Sequence, residues 1–198
     1  ALASDCLGAT TPGYTESEKE IEGRVSTIVR KASGKVFFTT VSSNISRMQQ
    51  VLNVAKSLGR KVCFIGRSIE KKAGIADKLG YLVCSPGLVV SSKQAQKLAR
   101  QKIIYIISGS YGQPGSALHR LSLGEHEFLS IEAGDLVIFS SDPAPPGSKA
   151  NVDYVVNRLI QLNAEVHYYD MQENLHVSGH GSQGDIQMLF GLVNPRYF

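Results

Sequence analysis

The chain has 198 residues, 42% of them hydrophobic and 19% charged, with a formal net charge of +4. It is long enough to bury a core and too apolar for a disordered chain. Its apolar runs fall short of a membrane span, no signal-peptide pattern is present, and the small, dispersed basic excess does not by itself argue for a polyanionic partner.

In chain order, Asp5 follows a short apolar start and reads as the end of a strand, where a carboxylate is either a metal ligand or a turn former. TESEKEIE is an acidic helix N-terminus, with Glu16, Glu18, Glu20 and Glu22 mostly on a solvated face. KVFFTT (35–40) is a strand. The next segment, SSNISRMQQVLNVAKSLGR, is a helix capped by Ser43 or Asn44, with Ile45, Met48, Val51, Leu52 and Ala55 at helical spacing and Gly59 at its end. KVCFIG (61–66) is a second strand, and SIEKKAGIADKLG a helix closed by Gly80. KQAQKLARQ reads as another helix; Lys93, Lys97, Arg100 and Lys102 make it the most basic stretch. KIIYIIS (102–108) is a third strand. The glycine-rich SGSYGQPG (108–115) leads to a helix starting near Ser116, and is either an anion-binding nest or a plain flexible turn. DLVIFSS (135–141) is a fourth strand, ANVDYVVNRLIQLNA an amphipathic helix, and EVHYYD a fifth strand. In HVSGHGSQGD, Ser182 and Asp185 form a capping box. Ile186, Leu189, Phe190 and Val193 then share one helix face; Pro195 ends that helix, and Arg196–Tyr197–Phe198 reads as the start of a strand. Cys6, Cys63 and Cys84 have no CxxC spacing; Cys63 and Cys84 read as small core residues of a reducing compartment.

Apolar strands alternating with helices call for an α/β fold: a doubly wound, mainly parallel sheet with helices on both faces. Ligands of such sheets bind outside the carboxyl ends of the strands. TTVSSN places hydroxyls and amides there at a helix N-terminus, which is an anion site or a plain cap. No GxGxxG or GxxxxGK[ST] is present. Gly179 and Gly181 exclude a helical metal pair of His176 and His180. His180 sits just before a helix N-terminus whose dipole would favour phosphate nearby; the plain alternative is an exposed loop histidine.

Several stretches, in order, carry a resemblance. SDCLGATTPGYTESEKE, TTVSSNISRMQQVLNVAKSLGRKVCFIGRSIEK, SGSYGQP, GDLVIFSSDPAPPG and HVSGHGSQGD are together similar to the motifs of the RNase J family of β-CASP ribonucleases, within the metallo-β-lactamase superfamily. Tyr111, Gln113, Gly184 and PAPPGSK depart from the family's usual residues, which touches fine substrate preference.

The resemblance implies a β-CASP domain over 19–172, with short flanking pieces of a metallo-β-lactamase fold at 1–18 and 173–198. On this expectation the chain is an excised domain, its last strand cut before a metal-binding histidine. Asp5 matches a bridging metal carboxylate, and His180 the histidine near the scissile phosphate. Glu18, with Glu16 as the close alternative, matches the acidic residue orienting that histidine. Ser43, Asn44, His176 and Ser178 match a phosphate pocket. The parent is then expected to hydrolyse RNA, 5′-to-3′ from a 5′-monophosphate end and internally. It would use two divalent metals, zinc by family likeness, as a cytoplasmic homo-oligomer (organellar in a plant or alga) with no membrane partner. The isolated chain is expected to bind no metal and to be inactive. The competing reading is a non-catalytic α/β module that binds nucleotide or RNA phosphate.

Overall fold

The computed structural model describes residues 1–141, 147–168, 175 and 177–197. Five strands, β1 (Val36–Thr39), β2 (Lys61–Ile65), β3 (Ile103–Ile107), β4 (Leu136–Phe139) and β5 (Glu165–His167), form one sheet in the order β2-β3-β1-β4-β5. Every pairing is parallel, with Phe37 opposite Tyr105 and Val137, and Cys63 opposite Tyr105. The helices are α1 (Lys19–Lys31), α2 (Ile45–Ser57), α3 (Arg67–Lys78), α4 (Ser92–Ala95), α5 (Ala117–Ser122), α6 (Lys149–Gln161) and α7 (Gln183–Val193).

The strands are apolar throughout because both faces are covered. Val36, Phe38, Val62, Ile104, Ile106, Leu136 and Ile138 face a core shared with α1, α2 and α3. The residues between them, Phe37, Cys63, Tyr105, Ile107, Val137 and Phe139, face a second core with α4, α5 and α6. This is the doubly wound arrangement expected from the alternation of elements.

The amino edge of the sheet is locked by buried polar groups. Asp135, fully buried, accepts the N–H of Lys35 at 2.8 Å, that of Glu132 at 3.0 Å, and the Arg100 guanidinium at 2.8 Å. The Arg60 guanidinium, also buried, donates to the carbonyls of Val29, Ala32 and Gly34, closing the last turn of α1.

Three expectations change. KQAQKLARQ forms the four-residue α4 and a 3-10 turn at Arg100–Lys102, not one helix. It offers one buried side chain, Ala95, too little tertiary packing to hold a longer helix, and Arg100 is drawn away to Asp135. The strands expected through Asp5 and from Arg196 do not form among the described residues; Leu2 N–H donates to the Tyr197 carbonyl at 2.9 Å and the ladder goes no further. Phe198 lies outside the described residues. Finally, α7 buries Gly184, while Leu189, Phe190 and Val193 are exposed, so its apolar face does not enter either core. No helix among the described residues is long and apolar enough to cross a membrane.

Candidate functional site

Two segments distant in sequence are fastened together. The carbonyls of Thr11 and Gly13 accept the first amides of α7, from Gln183 at 2.9 Å and Gly184 at 2.7 Å. Asp185 closes the capping box with Ser182 and also takes the hydroxyl of Thr15 at 2.6 Å and its N–H at 2.9 Å. Those bonds, the hydroxyl first, hold the Asp185 carboxyl below its usual range. A Cβ on Gly8 would stand 2.1 Å from the carbonyl oxygen of Gly181, so only glycine allows this approach. The α7 amides are thus spent on protein carbonyls. The N-terminus after His180 is not the open phosphate site that the sequence suggested.

The fastening brings His180 to Asp5. The His180 Nδ1 meets Asp5 Oδ2, while Asp5 Oδ1 accepts the Leu7 N–H at 3.0 Å. The Leu7 N–H, then His180, hold the Asp5 carboxyl below its usual range. Both side chains are about half exposed, at 42% and 49%, so the pair is open to solvent.

Glu18 is placed elsewhere. Its two oxygens accept from Nη2 of Arg47 at 3.0 and 2.8 Å, and its carbonyl accepts from Gln50 at 2.7 Å. The alternative, Glu16, pairs with Arg24 at 2.9 Å. The carboxylate that meets His180 is therefore Asp5, not Glu18. The physical reason is Arg47: it is fully buried on α2, and a buried guanidinium needs a counter-charge and acceptors. Its Nη1 supplies the rest of the network, donating to the Leu175 carbonyl at 3.1 Å and to the Ser140 hydroxyl. Arg47 thereby links α2, the end of β4 and the segment leading to His180. Sequence reading assigned it no role; the available signal was a charged residue beside Met48 on the buried side of an amphipathic helix.

The expected phosphate pocket is divided. Asn44 caps α2, its side-chain oxygen accepting the Arg47 N–H at 2.9 Å. Ser43 is exposed and lines a small apolar recess with Ile45, Ile75, Leu79 and Tyr81. The Ser178 hydroxyl accepts the His180 N–H at 3.1 Å. His176 lies outside the described residues. SGSYGQPG does meet the β1 turn, but through Thr40–Ser42, and Gly66–Ser68 after β2 completes a polar cleft of about 710 Å³. Neither Ser178 nor His180 lines that cleft.

Asp5 is the one residue here matched to a metal-binding role. Among the described residues no three His, Cys, Asp or Glu side chains are grouped to hold a metal ion. The dinuclear site that the resemblance implies belongs to the full-length parent, and the described residues alone do not make it.

The family model described as "Ribonuclease J, beta-CASP domain" matches residues 33–159. The chain is 40% identical over 197 residues to a protein named Ribonuclease J from Thermus thermophilus, covering 100% of this chain and 34% of that protein. It is 35% identical over 197 residues to Ribonuclease J2 of Bacillus subtilis, covering 100% of this chain and 35% of that protein. It is 36% identical over 197 residues to Ribonuclease J of Synechocystis, covering 100% of this chain and 30% of that protein. The chain spans about a third of the length of these curated relatives.

Proposed function

The chain belongs to the Ribonuclease J family, whose β-CASP domain it carries, and on that premise we propose that the protein it serves hydrolyses RNA phosphodiester bonds. The observation that carries the reading is the contact between His180 and Asp5, residues 175 apart in sequence. In this reading residues 19–172 are the β-CASP domain, and 1–18 and 173–198 are flanking pieces of a metallo-β-lactamase fold. The exposed apolar side of α7 would pack against the rest of that fold.

His180 acts at the scissile phosphate, donating a proton to the leaving oxygen or stabilising the charge that develops. A carboxylate on Nδ1–H fixes the ring plane and stabilises the imidazolium, the form whose Nε2–H is left to donate toward substrate. Asp5 is the orienting carboxylate in the geometry described here. Each of its oxygens keeps a second lone pair, so it can also contribute one ligand to a metal centre. The two divalent ions of our reading, zinc by assignment, need further ligands that the described residues do not provide. Glu18 is a positioning residue: it neutralises Arg47, and Arg47 holds the Leu175 carbonyl and so the path of the chain into His180.

A 5′-monophosphate end is the preferred substrate of this reading, with internal cleavage as a second mode. Ser178, which accepts from the His180 N–H, still has its hydroxyl proton to give to a phosphate oxygen. By family likeness the reading also gives Ser43, Asn44 and His176 to phosphate binding, where a dianionic terminal phosphate would gain charge-assisted hydrogen bonds. The protein works in the cytoplasm as a homo-oligomer. On its own the chain would bind RNA phosphate without cleaving it, because one carboxylate does not hold a metal pair.

The test compares kcat/KM for 5′-phosphate and 5′-hydroxyl RNA in the full-length protein and its Ser43→Ala, Ser178→Ala variant. A ratio that falls toward one supports the pocket; an unchanged ratio removes it and returns Ser43 to an ordinary turn residue.

A further inference from the structure

We propose that the cleft over the carboxyl ends of β1, β2 and β3 is a second phosphate-binding site, separate from His180, Ser43 and Ser178. It rests on the ribonuclease reading only for where the phosphate comes from.

The first observation is Thr40. It is 1% exposed, it lines the cleft, and its Oγ1 has no hydrogen-bond partner. Buried hydroxyls are nearly always hydrogen-bonded, so one without a partner at the floor of a polar cleft points to an acceptor brought by a ligand. The second is the start of α3, a helix of 12 residues whose N-cap, Gly66, has no side chain to cap it. Glu70 Oε1 takes the Gly66 N–H at 2.8 Å. The N–H groups of Arg67 and Ser68 find no acceptor among the described residues. The third is charge. Arg67 and Arg120 both line the cleft and are exposed, and neither pairs with a carboxylate among the described residues.

Gly66 makes the cleft possible. Its φ is +112°, and a Cβ there would stand 2.1 Å from Ser108 Oγ, closing the gap between the loops after β2 and β3. Thr40, Ser68 and two arginines, Arg67 and Arg120, line one cleft with no carboxylate in its lining. A tetrahedral oxyanion with several acceptor oxygens matches that set; a neutral sugar or an apolar molecule does not.

The experiment is a titration of the 198-residue chain, followed by amide NMR shifts. The probes are inorganic phosphate, uridine 5′-monophosphate and a 5′-hydroxyl oligouridylate. Amides of Gly66–Ser68 and of the 108–116 loop are expected to shift and saturate. Kd should rise about tenfold in Thr40→Val, the worth of one hydrogen bond to a charged group. Arg67→Gln, on the surface, should weaken binding independently of any folding effect at Thr40. Saturation by the oligouridylate identifies an internal strand phosphate, and saturation by the monophosphate alone a terminal one; either upholds the site. No saturating shift with any probe, or an unchanged Kd in both variants, overturns it. An active full-length nuclease with a silent cleft overturns this inference alone. A phosphate-binding cleft in an inactive protein overturns only the ribonuclease reading.

Discussion

The buried guanidinium of Arg47 grips both oxygens of Glu18, its Nη2 lying 3.0 Å from Oε1 and 2.8 Å from Oε2. Replacing Arg47 by Met would leave Glu18 without its partner, Ser140 without its donor, and the Leu175 carbonyl with the Ser140 hydroxyl as its remaining donor. Breaking a buried charge network in this way costs about 3–5 kcal/mol. Glu18 is 42% exposed, so Glu18→Gln should cost less, about 1 kcal/mol after solvent screening. Urea denaturation of the two variants checks the order. Equal stabilities would show that the network does not hold the loops together.

Gly8→Ala tests the fastening that delivers His180. The added methyl would collide with the Gly181 carbonyl, and backbone cannot yield as a flexible side chain can. Overpacking of this kind costs about 1–3 kcal/mol. The variant should also separate Asp5 from His180, which an NMR titration of the imidazole would register as a changed pKa. An unaltered titration would mean that the contact forms without the close approach.

Acid should release the same fastening. Asp185, held down first by the Thr15 hydroxyl, has a folded pKa below its ordinary value of 3.8. A depressed carboxyl contributes stability that is fully present above the unfolded value and is lost as pH falls through the folded one. Docking of residues 11–15 on α7 should therefore weaken below the ordinary aspartate range, and Thr15→Val should raise the Asp185 pKa. Carboxyl chemical shifts followed against pH would measure both; an Asp185 pKa at the ordinary value in the wild-type chain would refute the assignment.

The cysteines should separate by reactivity. Burial pushes the Cys63 thiol up to about 11, and partial burial with Asp77 beside it pushes Cys84 up to about 11. Near pH 8 roughly one such thiol in a thousand is the reactive thiolate. Cys6 is exposed and should be labelled first by a thiol reagent, with Cys63 following on unfolding. Fast labelling of Cys63 in the folded chain would contradict its place in the core.

Much of this architecture is local and so was readable from sequence. Apolar runs gave all five strands, and Asn44, Ser116 and Ser182 announced α2, α5 and α7 because caps act within three or four residues. The pairing of charges was not readable. Arg47 chooses Glu18 over a gap of 29 residues, and His180 chooses Asp5 over 175, so both depend on where the fold sends the chain. Gly66–Ser68 was read as a strand end followed by a helix. Its place in the polar cleft depends on β3 lying between β2 and β1, an order that no local pattern encodes.

The central claim is that His180, set against Asp5, acts on the scissile phosphate of RNA. It is tested most directly by kcat and KM of the full-length His180→Ala variant on 5′-monophosphorylated RNA. The expected result is a loss in kcat on the order of 10²–10⁴-fold with KM little changed, the worth of a positioned acid–base group. A near-normal kcat would make His180 an exposed loop residue and contradict the account.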